Sequence, residues 1–286
     1  MVSPLTRPYI SAPMTRRVTR LAWTAATFTY LLIILGAIVR ITRSGLGCGE
    51  HWPLCNGKLL PPLDLPTMIE YGHRLAAAAV SVLVAGLAAC VWWLRRGAGS
   101  GERETPGRTA YVALGLLVVQ VLLGAVTVKL SLPPWTVILH LGTAMLLLAT
   151  LIAVARGRPS ARPSRAGLWA LRLGFVTVLF GALTANLGAS SACLGFPLCN
   201  GQVLPAGNYL QHIHWVHRLL AYTLIGYVLW WALRTRARGA WVVVALVTLQ
   251  VAVAAAMVLL ALPQPLQAAH VAVGAGVWAA LVLAVL

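Results

Sequence analysis

WPLCNGKLLPP, residues 52–62, returns as FPLCNGQVLPA at residues 196–206, 144 positions later. The echo continues in order. GHRLAA at 72–77 is answered by VHRLLA at 216–221 with the same spacing of 144, and QVLLGAVTVKLSLP at 120–133 by QVAVAAAMVLLALP at 250–263, now spaced by 130. His140 and His270 keep that second spacing, so the loss of fourteen residues falls between the second and third apolar runs of the second copy. Apolar composition alone does not reproduce Cys, Pro, Asn-Gly, His-Arg, Gln and His in the same order. The chain is an internal duplication.

Each copy holds apolar runs of membrane-spanning length, roughly 20 residues each. Eight are expected, at about 21–42, 68–94, 109–130, 136–156, 169–188, 209–233, 239–261 and 265–286. The chain is 60% hydrophobic and 9% charged, against about 25% charged residues in soluble domains. The expected fold is an all-α integral membrane protein whose two halves, 21–156 and 169–286, are tandem four-helix bundles. Four helices per half is an even number, so both copies start on the same side, related by a pseudo-twofold axis along the membrane normal. Residues 1–20 are expected to be a cytoplasmic tail and 157–168 a cytoplasmic linker. The tail is polar and basic and lacks the apolar stretch of a cleaved signal peptide.

The net charge of +17 is explained by its distribution. With a cytoplasmic N-terminus, sixteen of the 22 Lys and Arg residues fall on the inner side: Arg7, Arg16, Arg17, Arg20, Arg95, Arg96, Arg103, Arg108, Arg156, Arg158, Arg162, Arg165, Arg172, Arg234, Arg236 and Arg238. Only Arg40, Arg43, Lys58 and Lys129 fall outside. This is the positive-inside asymmetry of a multi-pass cell-membrane protein with both termini in the cytoplasm. The charge calls for no nucleic-acid partner.

Four of the seven histidines belong to the repeat: His73, His140, His217 and His270. Each stands near the outer start of an inward-running helix, roughly 7–9 Å below its end. Ionisable groups within a membrane are costly and functional as a rule. Two imidazoles at matched depth in a four-helix bundle suit the axial positions of a haem iron. Zinc or copper would call for three or four ligands. A single such histidine would be read as hydrogen-bonded packing; four at repeat-related positions are not. Arg74 and Arg218, next to His73 and His217, suit either haem propionates or anchoring at the headgroups.

One position breaks the symmetry. Glu70 lies three residues before His73, on the same helical face, where the second copy has His214. A carboxylate beside one site only suggests unequal roles, with Glu70 as the catalytic candidate for proton transfer or for stabilising positive charge. The plain alternative is a carboxylate favoured at a helix N-terminus by the dipole. His51 and His212 have no repeat partners. Cys48, Cys55, Cys193 and Cys199 lie in outer loops, where the oxidising compartment favours disulfides. A tetrahedral four-cysteine metal site joining the two loops is the other reading. Cys90, without a counterpart, is expected to be a free core thiol.

With CGEHWPLCNG, EYGHR, WVHR, His140 and His270 in this order, the chain resembles the haem A synthase family from about Trp23 onward. The resemblance implies a membrane oxidoreductase acting on a CH3 group. It would oxidise the C8 methyl of haem O to the formyl of haem A by successive hydroxylations, with water as the oxygen source. His73, His140 and Glu70 would then serve the substrate haem, and His217 and His270 would ligate a cofactor haem b. The pairs Cys48–Cys55 and Cys193–Cys199 are implied as disulfides. Implied partners are haem O synthase, terminal-oxidase assembly factors, membrane lipid and an electron acceptor. The chief alternative is a dihaem cytochrome b-type electron-transfer protein that leaves haem unconverted. A prenyltransferase would need aspartate-rich Mg-pyrophosphate motifs, and the chain has one Asp, Asp64. A repeat-built transporter would place its polar groups at the midplane, whereas here they cluster toward one face.

Overall fold

The computed structural model describes residues 12–97, 107–157 and 163–286. Among these are eight helices long and apolar enough to cross a membrane. They are α1 (Ala12–Ile41), α2 (Leu65–Gly97), α3 (Gly107–Lys129), α4 (Pro134–Arg156), α5 (Arg165–Asn186), α6 (Tyr209–Thr235), α7 (Arg238–Leu259) and α8 (Gln264–Val285). The expected all-α membrane fold of eight spans is the one observed. The helix bounds differ most at α1, which starts at Ala12 within the segment read as a tail. Apolarity marks where lipid begins, whereas Arg16, Arg17 and Arg20 are good helix formers and extend the coil past that limit. Arg7, Arg103, Arg158 and Arg162, counted above with the inner charges, lie outside the described residues.

The helix starts are written in the sequence. Asn208 accepts from the amides of Leu210 and Gln211 at α6, and Ser164 accepts from Gly167 at α5. Asp64 does the same for the amide of Thr67 at the start of α2. Each cap satisfies a donor that the helix cannot. The one aspartate is therefore a helix cap. Before α4 and α8 stand matching tight turns, with Ser131 and Leu132 at φ 58° and 63° and Ala261 and Leu262 at φ 59° and 63°. Two successive non-glycine residues in the left-handed region are costly. The same device in both copies fixes how α4 and α8 begin.

Helices α1 to α4 close a ring in which each packs on the next and α4 returns to α1; α5 to α8 do the same. The rings meet through α1 with α8, α4 with α5, and α4 with α8. Exchanging α1–α4 with α5–α8 in order leaves this set of neighbours unchanged. The seam is polar in places as well as apolar. Tyr30 donates to the carbonyl of Ala272 at 2.9 Å, and the indole N–H of Trp278 donates to that of Met145 at 2.8 Å. Trp278 also stacks, tilted, on Phe175 at 5.5 Å. Large apolar side chains such as Val82, Leu122 and Val242 point outward, as lipid-facing positions require.

Candidate functional site: paired histidines beneath disulfide loops

The PLCNG segments form the same small hairpin twice. Asn56 and Gly57 have φ 52° and 73°, and Asn200 and Gly201 have φ 53° and 79°. Two left-handed central residues define a type I′ turn, for which Asn-Gly is the preferred pair. Cys55 and Lys58 exchange both backbone hydrogen bonds across one turn, and Cys199 and Gln202 across the other. Cys48 is bonded to Cys55 and Cys193 to Cys199, so the four-cysteine metal reading gives way to two disulfides. All four sulfur-bearing residues are buried. Cys90 is a free, half-buried thiol. The peptide bonds Trp52–Pro53 and Phe196–Pro197 are both cis.

Beneath each loop the histidines are set in register. His73 and His217 are ninth in α2 and α6; His140 and His270 are seventh in α4 and α8. That places them roughly 9–12 Å into their helices, and α2, α4 and α8 start one to three residues before the apolar runs do. In each ring the two helices that carry these histidines occupy opposite corners. His140 lies within electrostatic range of His73, and His270 of His217. The remaining corners carry small residues. A methyl group built on Gly36 of α1 would meet the His73 ring at 3.2 Å, on Gly124 of α3 the His140 ring at 3.3 Å, and on Gly181 of α5 the His217 ring at 3.0 Å. Larger side chains there would displace the imidazoles. Gly181→Val is accordingly expected to lower occupancy of the second site several-fold while the protein still inserts, read as bound pigment per protein after purification.

The arginines and Glu70 turn upward, toward the loops. Glu70, 3% exposed, accepts from the backbone amide of Cys48 at 2.8 Å and pairs through its other oxygen with Arg74. Arg74 also donates to the carbonyls of His51 at 2.8 Å and Leu54 at 3.0 Å. Arg218 donates to the carbonyls of Gly195 and Leu198, both at 2.9 Å, and of Cys193 at 2.8 Å. His214, at the position of Glu70, donates from Nδ1 to the carbonyl of Ala189 at 3.0 Å. Each half thus fastens its disulfide loop to the helix bearing its first histidine. A propionate at either arginine would compete with these carbonyls.

Several buried polar atoms at the paired histidines have no partner: Nδ1 of His73, His140 and His217, and Oε1 of Gln120 and Gln250. Buried polar groups are nearly always satisfied, so these mark places where a bound group supplies what the protein does not. Among the described residues no three His, Cys, Asp or Glu side chains converge on one point. A group taking two axial imidazoles from opposite corners, with glycines beside the rings, fits this donor set; a tetrahedral ion does not. Sequence reading overlooked the glycines, hidden in apolar runs, and the two glutamines, visible as repeat partners but with no sign of what they touch.

The fold and site define a class: multi-pass membrane proteins of eight helices with one histidine pair in each four-helix half. Comparison with known proteins narrows it. The profile of COX15-CtaA, cytochrome oxidase assembly protein, matches residues 19–68 and 64–282. The chain is 35% identical to Heme A synthase of Symbiobacterium thermophilum, over 90% of this chain and 91% of that one. It is 32% identical to Heme A synthase of Exiguobacterium sibiricum, over 71% and 70%, and 32% identical to that of Bacillus licheniformis, over 71% and 70%. The chain belongs to the COX15-CtaA family.

Proposed function

We propose that this protein is a haem A synthase, an enzyme of haem A formation that takes haem O as substrate and releases haem A. The observation that carries this is the family match along both halves, joined to two histidine pairs in which His73, His140 and His217 each carry an unpartnered ring nitrogen and a glycine neighbour, as suits bound haem. The relatives are named for synthesis, so the dihaem electron-transfer reading falls behind. Oxidation of the C8 methyl to a formyl group balances as R–CH3 + H2O → R–CHO + 4 H+ + 4 e−. With water as the oxygen source the protein is an oxidoreductase needing an electron acceptor.

His73 and His140 hold the substrate haem between α2 and α4. His217 and His270 hold a resident haem b between α6 and α8, which supplies one-electron redox chemistry. The two halves are related by a pseudo-twofold axis, a reading supported by the interchangeable helix neighbours. The disulfide loops and the helix starts that bear the histidines face the outer side, with the N-terminus and the arginine-rich connections inside. Glu70 sits one turn from His73 with both oxygens engaged. It acts as a fixed negative charge beside the site rather than as a mobile base, opposing positive charge that develops on the substrate. Arg74 and Arg218 brace the loops that cover the two sites.

The test of the function is expression with a haem O source, followed by extraction and identification of haem types. Haem A must appear; haem O alone would sink the proposal. For the carboxylate, Glu70→Gln keeps shape and removes charge. Haem A accumulation is expected to fall at least tenfold, an effect of roughly 1.4 kcal/mol on the barrier. A wild-type rate would remove Glu70 from the chemistry.

A further inference from the structure

Gln120 and Gln250 are repeat partners on α3 and α7, yet only Gln250 reaches a histidine with its side chain; Gln120 meets His140 through its backbone. Nε2 of Gln250 lies 3.1 Å from Nδ1 and 3.2 Å from Nε2 of His270. This leaves its own Oε1 buried without a partner. In the first half both Oε1 of Gln120 and Nδ1 of His140 are buried without partners. The difference has a visible cause one turn along the ligand helix. A methyl group on Gly274 would stand 3.2 Å from the Gln250 amide nitrogen. The residue at the matching place after His140 is Ala144, which is buried and carries that methyl. Gly274 leaves room for the amide; Ala144 fills it.

We propose that Gln250 is the positioning residue of the second-half haem, bracing His270 so that one ring nitrogen is held by the amide and the other is left for iron. The inference rests on the haem reading given above. The two ends of an amide are nearly the same shape. Turned end for end, the Gln250 side chain fits the same space with Oε1 against the ring. Nδ1–H of His270 then donates to Oε1, and Nε2 of the ring is free. A ligand histidine whose second nitrogen donates to an oxygen is fixed in tautomer and orientation and is more basic toward its metal. His140 has no such side-chain brace, only the Gln120 backbone beside it. The second half is thereby built to retain its haem, and the first to hold one that must leave as product.

The experiment is a redox titration and haem quantification on the purified full-length protein, comparing Q250E, Q250L, G274A and Q120L with the parent. Q250E places an anion against the ring and is expected to lower the midpoint potential of the second-half haem. Q250L is expected to raise the potential and weaken haem retention roughly 10–100-fold, the usual cost of losing such an outer partner. G274A, which only crowds the amide, is expected to move the potential in the direction of Q250L by less, and it stands in if Q250L does not fold. Q120L is expected to leave that potential where it was. Parental potential and retention in both Q250E and Q250L would overturn the inference. H270A separates this from the reading beneath it. If H270A loses the second-half haem while the Gln250 variants behave as the parent, only the brace fails. If H270A keeps that haem intact, the four-histidine reading fails as well.

Discussion

Replacing His217 with Ala is expected to strip the second half of its haem while leaving the first half able to bind one. His217 and His270 stand on helices at opposite corners of the second ring, so, on the proposed reading, either truncation would remove one of the two residues that would hold the haem. Loss of even an outer partner of a metal ligand costs roughly 10–100-fold in affinity; loss of the ligand itself is expected to cost at least about that. Haem b per protein, quantified from extracted pigment, is therefore expected to fall at least tenfold in His217→Ala. Product formation should cease with it if, as proposed, the second-half haem would carry the electrons that oxidation of the substrate releases. The matching change His73→Ala should keep the second-half haem and lose haem A formation. If His217→Ala retained parental haem b, the assignment of the second site would be wrong.

What could be read from the sequence was whatever depends on residue type repeated at long spacing. The eight spans follow from apolar length, and the four histidines stand out because imidazole is rare in lipid and these recur at fixed offsets. The Asn-Gly pairs signal a tight reversal, and they form type I′ turns at Asn56–Gly57 and Asn200–Gly201. What stayed hidden depends on backbone groups, which every residue carries. Nothing in the letters tells that Glu70 meets the amide of Cys48, 22 positions earlier. Nor do they tell that Arg218 collects carbonyls from Cys193 to Leu198. The loop-bracing role of these residues needed coordinates. So did the contrast between Gly274 and Ala144, because a methyl group matters only where something else needs its space.

Replacing Arg74 with Met is expected to destabilise the first half more than any change at the histidines. Arg74 holds the buried Glu70 carboxylate and, through the same guanidinium, the carbonyls of His51 and Leu54. Met keeps much of the aliphatic stem, so the packing change is small. The charge left behind is not. Removing one partner of a buried pair costs about 3–5 kcal/mol, since the remaining ion has lost its compensation. The loop carbonyls of His51 and Leu54 lie in exposed contacts, where water replaces the lost donor at smaller cost. Helix α2 and the Cys48–Cys55 loop should therefore part, lowering the unfolding midpoint of the detergent-purified protein and exposing the loop to protease. The double change Arg74→Met with Glu70→Gln discriminates the causes. If the stranded charge dominates, the double variant regains most of the loss; if the carbonyl contacts dominate, it regains little. A single Arg74→Met variant as stable as the parent would show that the buried pair does not hold the loop. The disulfide would then fasten the loop alone, and the symmetry with Arg218 would be one of sequence and not of function.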